Sequence, residues 1–506
     1  MTLLGEGHAV LDLAVQAYAR DPEALGILEQ WRERLNDPLR LGLAGMVKAG
    51  KSTLLNALVG ERIAPADAAE CTNVVVWYRY ADVPGAVALH RDGTRHPVTL
   101  RRTPEGLGFD LRGVSPAELE RIDVGWPSPA LRSLLLIDTP GIESASEPVS
   151  RRTVAFLASG TPSPSDADAI LYLLRHVRTS DLAFLEAFRD TAAGAPSSLN
   201  ALAVLSRADE VGAGRLDSML SAHRIAERYA AEPALRPLAL GVLPVAGLMA
   251  ESARTLRESQ FEALRALAAL DRRQRERQLL SVDRFVRADD GIPPASRAEL
   301  AERLGIAGIR LGIALVRGGA ASAQQLSDQL VRQSGLEELH DAVARWFEAR
   351  RPALKVRALL TALPALLAER PAPGTAPVTE ALERLAAGSH ELRELDLLAR
   401  LRTENLGFTS AETSEAERLL GREGTAVRAR LGLGPAASAE TALLVAQGET
   451  ARWRDRGASP LTARGTARAC ADVVRTLEDA VSEVRRELRR GGTAADVDPA
   501  GGPAQR

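Results

Sequence analysis

The sequence predicts an α/β domain, its mainly parallel sheet covered by helices on both faces, joined to an all-α bundle formed by both chain ends. Three observations lead there. Between residues 39 and 250, short aliphatic runs (LRLGLA, NVVVWYRY, SLLLID, AILYLL, NALAVLS, LGVLPVA) alternate with helical stretches and loops. That is the pattern of parallel strands buried on both faces. A glycine-bearing turn, GMVKAGKST, follows the first of these runs and opens a helix. From residue 351 to 490 no run reads as a strand, and apolar residues recur at helical spacing.

Residues 1–36 carry the first helices, read as two over 8–36. Asp21, Pro22 and Glu23 restart the chain as N-cap, first and second helical positions. Leu25, Leu28, Trp31 and Leu35 then line one face. The sheet domain spans 37–350, with a hairpin expected across HRDGTRH, where Asp92-Gly93 supplies the turn. A helical insertion is expected over about 250–330. It holds a charged amphipathic segment from about 250 to 286, the Pro293-Pro294 break, an apolar helix over 306–316 and a turn at Gly318-Gly319. A helix over 335–348, with Leu336, Leu339, Val343 and Phe347 at helical spacing, closes the domain. In the helical region, 351–490, Pro371, Pro373 and Pro377 separate one helix from the next. Cys470, Val474, Leu477, Val481, Val484 and Leu488 alternate gaps of four and three. Such a seam serves either as a core stripe inside a bundle or as a short intermolecular coiled coil. The polar, Gly/Pro-rich tail, 491–506, reads as disordered.

The net charge of -2 leaves no global attraction for nucleic acid, so no nucleic-acid partner is expected. Cys71 and Cys470 lie too far apart in sequence for a disulfide framework or a metal-ligand spacing, which favours a reducing compartment. The start of the chain lacks a signal peptide's cationic region. The most apolar window, LGIAGIRLGIALV, is interrupted by Arg310 and short for a membrane span. A cytoplasmic protein follows, with membrane contact at most peripheral.

GMVKAGKST fits the G-x-x-x-x-G-K-[ST] phosphate loop, set between a strand and a helix as its mechanism requires. Backbone N–H groups along Gly45, Val47, Lys48, Ala49, Gly50, Lys51, Ser52 and Thr53 would surround phosphate oxygens. Lys51 would bridge the β- and γ-phosphates, and Ser52 would ligate Mg²⁺. Three later features favour GTP/GDP over adenine nucleotides. Thr72, in a loop before a strand, stands where a switch threonine would close on Mg²⁺ and the γ-phosphate. LLLIDTPG ends a strand with Asp138, placed to hold the Mg²⁺ shell through water, and turns at Gly141, whose N–H would sense the γ-phosphate. In AVLSRADE, Ser206, Arg207 and Asp209 resemble the guanine-reading [NT]KxD pattern. Asp209 would accept two hydrogen bonds from guanine that adenine cannot offer, while Arg207 would stack along the base. The fold is therefore an α/β P-loop GTPase domain joined to a helical bundle.

The series of P-loop, threonine, DTPG and [ST]-[KR]-x-D is that of the translation-factor-type GTPases. Within them GMVKAGKST, LSRADE, LPVAGL and QSGLEEL resemble the bacterial dynamin-like proteins of the actinobacterial, isoniazid-inducible type. The resemblance spans residues 1 to about 490, with its specific motifs confined to 45–250. It implies Mg²⁺-dependent GTP hydrolysis stimulated by G-domain dimerisation with a second copy or a related paralogue. It also implies a helical neck and trunk, and membrane remodelling through lipid contact at the inner face of the cell membrane. LPVAGL would supply the last nucleotide loop, with Ala246 and Gly247 against base or ribose. Arg207 departs from the family's usual lysine, which softens guanine selection. The family's membrane element is variable and transfers to no residue here.

Ile142 fills the slot where many small GTPases keep a water-orienting glutamine. The resemblance implies that Thr72 orients water instead. Lys48 is then either a cation on the β–γ bridging oxygen, acting with Lys51 and Thr72 in catalysis, or a solvated lysine or dimer-face ion-pair partner. Two basic stretches bear on membrane contact. Residues 421–434, with Arg422, Arg428 and Arg430 beside Leu431 and Leu433, form either a basic apolar tip or an ordinary interhelical connection. Arg272, Arg273, Arg275 and Arg277 read as a solvated helix face. The expected activity is that of a membrane-acting dynamin-like GTPase. The alternatives are a GTPase switch for an RNA or protein assembly, and a low-turnover GTP-controlled scaffold.

Overall fold

The computed structural model describes residues 2–64, 74–103, 106–111, 114–140, 167–188, 199–289 and 291–495. Its centre is a ten-stranded sheet. In chain order the strands are β1 Leu39–Gly45, β2 Val75–Tyr80, β3 Gly85–His90, β4 Arg95–Thr103, β5 Gly106–Asp110, β6 Leu119–Trp126, β7 Leu134–Asp138, β8 Ala169–Leu174, β9 Ala201–Ser206 and β10 Val242–Val245. Their spatial order is β10-β9-β8-β1-β7-β2-β6-β3-β4-β5. From β10 to β7 every pairing is parallel. The β2–β6 pair is parallel too, whereas β2 meets β7, and β3, β4 and β5 continue, antiparallel. The parallel half holds the site, and the antiparallel half extends the edge.

Both faces of the parallel half are buried, so its strands are continuously apolar rather than alternating. Leu41 and Leu43 enter one core while Ala44 enters the other; Leu136 and Ile137 divide in the same way. The expected hairpin joins β3 and β4. Asp92 Oδ1 accepts from the Thr94 N–H at 2.9 Å and its hydroxyl at 2.7 Å.

Helices Leu3–Ala17 and Pro22–Asn36 precede the sheet, the first starting earlier than the predicted residue 8. Asp21 caps the second, its Oδ1 accepting from Glu23 and Ala24 N–H at 3.1 Å. Both pack on helix Arg351–Glu369, and Tyr18 donates to the Arg370 carbonyl at 2.6 Å. A buried ion cluster joins these parts to the sheet. Arg34 Nε donates to Asp168 Oδ1 at 2.9 Å, and the Arg40 N–H donates to Oδ2 at 3.0 Å. Lys355 Nζ lies 3.4 Å from the same Oδ2. Burial works against the Asp168 carboxylate, but Arg34, Lys355 and Arg40 together hold its pKa below the usual range. One carboxylate serves two buried cations, and burial pulls the Lys355 ammonium down to about 8.

The helical segment Gly247–Arg254 through Ala323–Gln333 has an apolar cluster of its own, around Phe261, Leu264, Phe285, Leu304 and Ile309. The predicted 306–316 helix is the second half of Pro294–Arg317, kinked at Gly305. Arg275 departs from the expected solvated face. It is buried and donates to the Ala268 and Leu270 carbonyls, which end the preceding helix.

Helices Ala439–Ala458 and Arg464–Ala495 pack together. Of the predicted seam, Cys470, Leu477 and Val484 are buried within the chain, and Val474, Val481 and Leu488 are half-buried against the same core, with the buried stripe running through Val473 and Ala480 instead; the seam is a bundle stripe rather than an intermolecular coil. Its helix continues to Ala495, correcting the predicted start of the tail at 491; residues 496–506 lie outside the described residues. The 421–434 stretch is an interhelical connection rather than a tip. Arg430 pairs with Glu394, Arg428 with Glu487, and Leu431 is buried. The two chain ends also meet less directly than expected, because the first helices pack on residues 351–388 and the last on 390–458. Among the described residues, no helix is long and apolar enough to cross a membrane.

Candidate functional site

The phosphate loop leaves the end of β1 and enters helix Lys51–Val59. Gly45 has φ 146°, and a Cβ there would lie 2.5 Å from the Leu173 carbonyl oxygen, so glycine is required. Gly50 turns the chain into the helix at φ 97°. Lys51 folds back beneath the loop, its Nζ donating to the Gly45 carbonyl at 3.3 Å. Burial lowers its pKa, against the opposing pull of Asp138.

Asp138 ends β7 opposite the helix start. Ser52 Oγ donates to its Oδ2 at 3.1 Å. Among the described residues its Oδ1, which is buried, has no hydrogen-bond partner. Burial pushes the carboxyl pKa up, with Lys51 and the Ser52 hydroxyl opposing. A hydroxyl and a carboxylate with a free buried oxygen form a hard-oxygen set, which suits Mg²⁺ when phosphate oxygens complete the shell. Thr139 fixes the strand end by donating to the Leu43 carbonyl at 2.7 Å.

Beside the loop lies a cavity of about 190 Å³. Gly50, Thr53, Leu173, Ser206, Arg207, Asp209 and Gly247 all line it, so four sequence segments converge there. Ser206 Oγ donates to the Leu174 carbonyl at 3.2 Å, fixing the end of β9. Asp209 is buried, and loss of solvation pushes its carboxyl up to about 6. Arg207 adopts φ 53° and reaches across to the phosphate loop, Nη2 donating to the Lys48 carbonyl at 3.4 Å. Its other arm pairs with Glu210 at 3.1 Å, and Glu210 pairs with Arg175 at 2.7 Å.

Ala246 is fully buried, while its neighbours Val245, Gly247 and Leu248 line the cavity. Val47 and Lys48 point outward from the phosphate loop and are exposed. Thr72, Gly141 and Ile142 lie outside the described residues.

The structure gives supporting roles to residues outside the predicted site. Asn56 Oδ1 accepts from Ile63 and Ala64 N–H at 2.9 and 2.7 Å, and its Nδ2 donates to the Ala64 carbonyl at 3.1 Å. A helical asparagine carries no motif signal, so its role emerges only from the loop it holds. Ser334 and Gly335, within QSGLEEL, hold the LPVAGL loop: the Ala246 N–H donates to the Ser334 carbonyl at 2.9 Å. At Gly335, φ is 78° and a Cβ would fall 2.3 Å from the Pro244 carbonyl oxygen.

Residues 40–200 match the family model described as "50S ribosome-binding GTPase". The isoniazid-induced protein IniC of Mycobacterium tuberculosis is 40% identical over 489 residues, covering 94% of this chain and 98% of that protein. IniA of the same organism is 35% identical over 152 residues, 28% of this chain and 22% of its own length. The bacterial dynamin-like protein of Nostoc punctiforme is 29% identical over 122 residues, 20% of this chain and 16% of its own. A solved oligomerised bacterial dynamin pair, described as sensing and tethering membranes, aligns with 96% of this chain and 75% of the solved chain. Its identity is 13% and its TM-score 0.29.

Proposed function

The chain belongs to the IniC family of bacterial dynamin-like proteins, and from that premise we propose that it binds and hydrolyses GTP with Mg²⁺, coupled to pairing of its G domain with a second copy or a paralogue, and acts on membranes. One observation carries the nucleotide assignment. Asp209 is a buried carboxylate with a raised pKa, in a cavity bounded by the phosphate loop and Gly247. A carboxylate there accepts from the two adjacent donors of guanine, whereas adenine offers no such pair.

In this proposal the loop N–H groups and Lys51 hold the β- and γ-phosphates. Ser52 and Asp138 would hold Mg²⁺, which neutralises charge on the phosphate oxygens. Arg207 ties the base-reading segment to the phosphate loop through the Lys48 carbonyl, so base and phosphates are held in one register. Thr72 and Gly141 are proposed as the groups that respond to the γ-phosphate. The exposed Lys48 side chain is proposed to reach the β–γ oxygen when a second G domain covers the loop. Membership of the dynamin-like family, rather than any lipid contact, is what supports membrane action.

GTP and ATP turnover measured across protein concentration tests the proposal. GTP hydrolysis per molecule should rise with concentration, and ATP should be a poor substrate. A constant rate per molecule would remove dimer coupling. Absence of turnover with GTP binding intact would leave a nucleotide-controlled scaffold.

A further inference from the structure

The helical segment after the nucleotide site carries an arginine-lined pocket. It has a volume of about 460 Å³ and is lined by Gln274, Arg277, Gln278, Asp283, Arg284 and Arg287. Arg277 donates weakly to the Arg273 carbonyl at 3.3 Å. Among the described residues no carboxylate lies within ion-pair distance of Arg277, Arg284 or Arg287, although Asp283 shares the pocket. The contrast with the neighbouring Arg272, which pairs with Glu276 at 2.7 Å, is local.

This pocket stands on a fixed platform. Arg275, Leu279 and Phe285 beneath it are buried, and Arg297 donates to the Phe285 carbonyl at 2.9 Å. Beside it in the chain, Leu280 and Val282 are 63% and 50% exposed. Leu216 and Leu220 are exposed as well, and Arg310 joins the two stretches: it donates to the Leu279 carbonyl at 2.6 Å and to that of Gly214 at 2.8 Å.

We infer that this face docks on an anionic lipid bilayer, the guanidinium groups of Arg277, Arg284 and Arg287 taking headgroup phosphates while Leu280 and Val282 enter the acyl boundary. This rests on the membrane action proposed above. Guanidinium groups match phosphate oxygens in pairs, and aliphatic side chains beside them suit an interface rather than a free anion. A single-stranded nucleic acid would need aromatic platforms for its bases. The aromatic residue of this stretch, Phe285, is fully buried.

Co-sedimentation tests the inference, using the full chain with phosphatidylcholine vesicles and with vesicles that also contain phosphatidylglycerol. Wild type should pellet with the anionic vesicles only. The triple variant Arg277→Gln, Arg284→Gln, Arg287→Gln should lose about fivefold in affinity per arginine, on the order of a hundredfold in all. Leu280→Ser with Val282→Ser should leave binding that high salt removes. Unchanged thermal midpoints would confirm that the variants fold. Wild type failing to pellet would overturn both this inference and the membrane action on which it rests. Wild-type binding that the triple variant retains would overturn only the placement. Calorimetry with inorganic phosphate, and gel shift with single-stranded RNA, complete the test. Binding of either that is lost in the triple variant, while vesicle binding persists, would reassign the pocket to that ligand.

Discussion

Replacing Asp209 with asparagine should move stability and nucleotide binding in opposite directions. In the nucleotide-free protein its carboxyl is buried and titrates near 6. A carboxyl titrating there rather than at its usual value costs the folded state about 3 kcal/mol at neutral pH. The sign follows from proton uptake: the folded state binds the proton more tightly. The cost is therefore fully present above pH 6 and is relieved as pH falls from 6 towards 4. Asp209→Asn removes the charge and should stabilise the empty protein by up to about 3 kcal/mol at pH 7. Guanine binding should suffer, because the asparagine amide presents a donor to a base that is itself donating. Loss of two charge-assisted hydrogen bonds of about 1.5 kcal/mol or more each predicts at least a hundredfold weaker GDP binding. Fluorescent GDP titrations and urea unfolding across pH 5 to 8 measure both arms. Wild-type affinity should fall about tenfold per pH unit below 6, whereas the variant's should stay flat. Equal affinities and matching pH profiles for the two proteins would refute the guanine-reading role of Asp209.

Three other outcomes follow from particular contacts. Lys51→Ala should abolish nucleotide binding, whereas Lys48→Ala should keep GDP affinity and lower only the GTP turnover that rises with protein concentration; equal effects on binding would remove the catalytic role proposed for Lys48. Asp168→Asn strands two buried cations and should cost about 3–5 kcal/mol in urea unfolding, while Lys355→Met should be near neutral because Asp168 keeps Arg34. Lys355 titrates near 8 in the folded chain, below its unfolded value, so wild-type stability should gain a component as pH rises from 8 towards 10.5, and Lys355→Met should lack it. Gly335→Ala forces a Cβ against the Pro244 carbonyl at positive φ, so it should lower the melting midpoint and weaken GDP binding together; a lowered midpoint with unchanged GDP affinity would separate Gly335 from the nucleotide loop.

Much of the site was legible because its chemistry is local in sequence. GMVKAGKST contains its own strand exit, glycines and lysine; LLLIDTPG ends a buried strand on an acid, and AVLSRADE sets one three residues past the end of another. These segments meet because neighbouring parallel strands present their carboxyl ends on one side of the sheet. Of the antiparallel edge only the β3–β4 hairpin was legible, through its Asp92-Gly93 turn; the directions in which β2, β6 and β5 pair depend on their partners and leave little trace in composition. Residues 421–434 show the same limit. Basic and apolar residues side by side could have been an exposed tip, until Glu394 and Glu487, distant in sequence, arrived to pair with Arg430 and Arg428.

The sequence by itself determined the α/β class, the phosphate loop and the candidate guanine reader, because each depends on residues within one short segment. Only the tertiary structure decided that Ser334 and Gly335 hold the LPVAGL loop, that Ala246 within it is buried, and that Asp168 joins Arg34 to Lys355. Those outcomes depend on desolvation and on hydrogen bonds between segments up to hundreds of residues apart, and burial is a property of the packed chain rather than of any stretch within it.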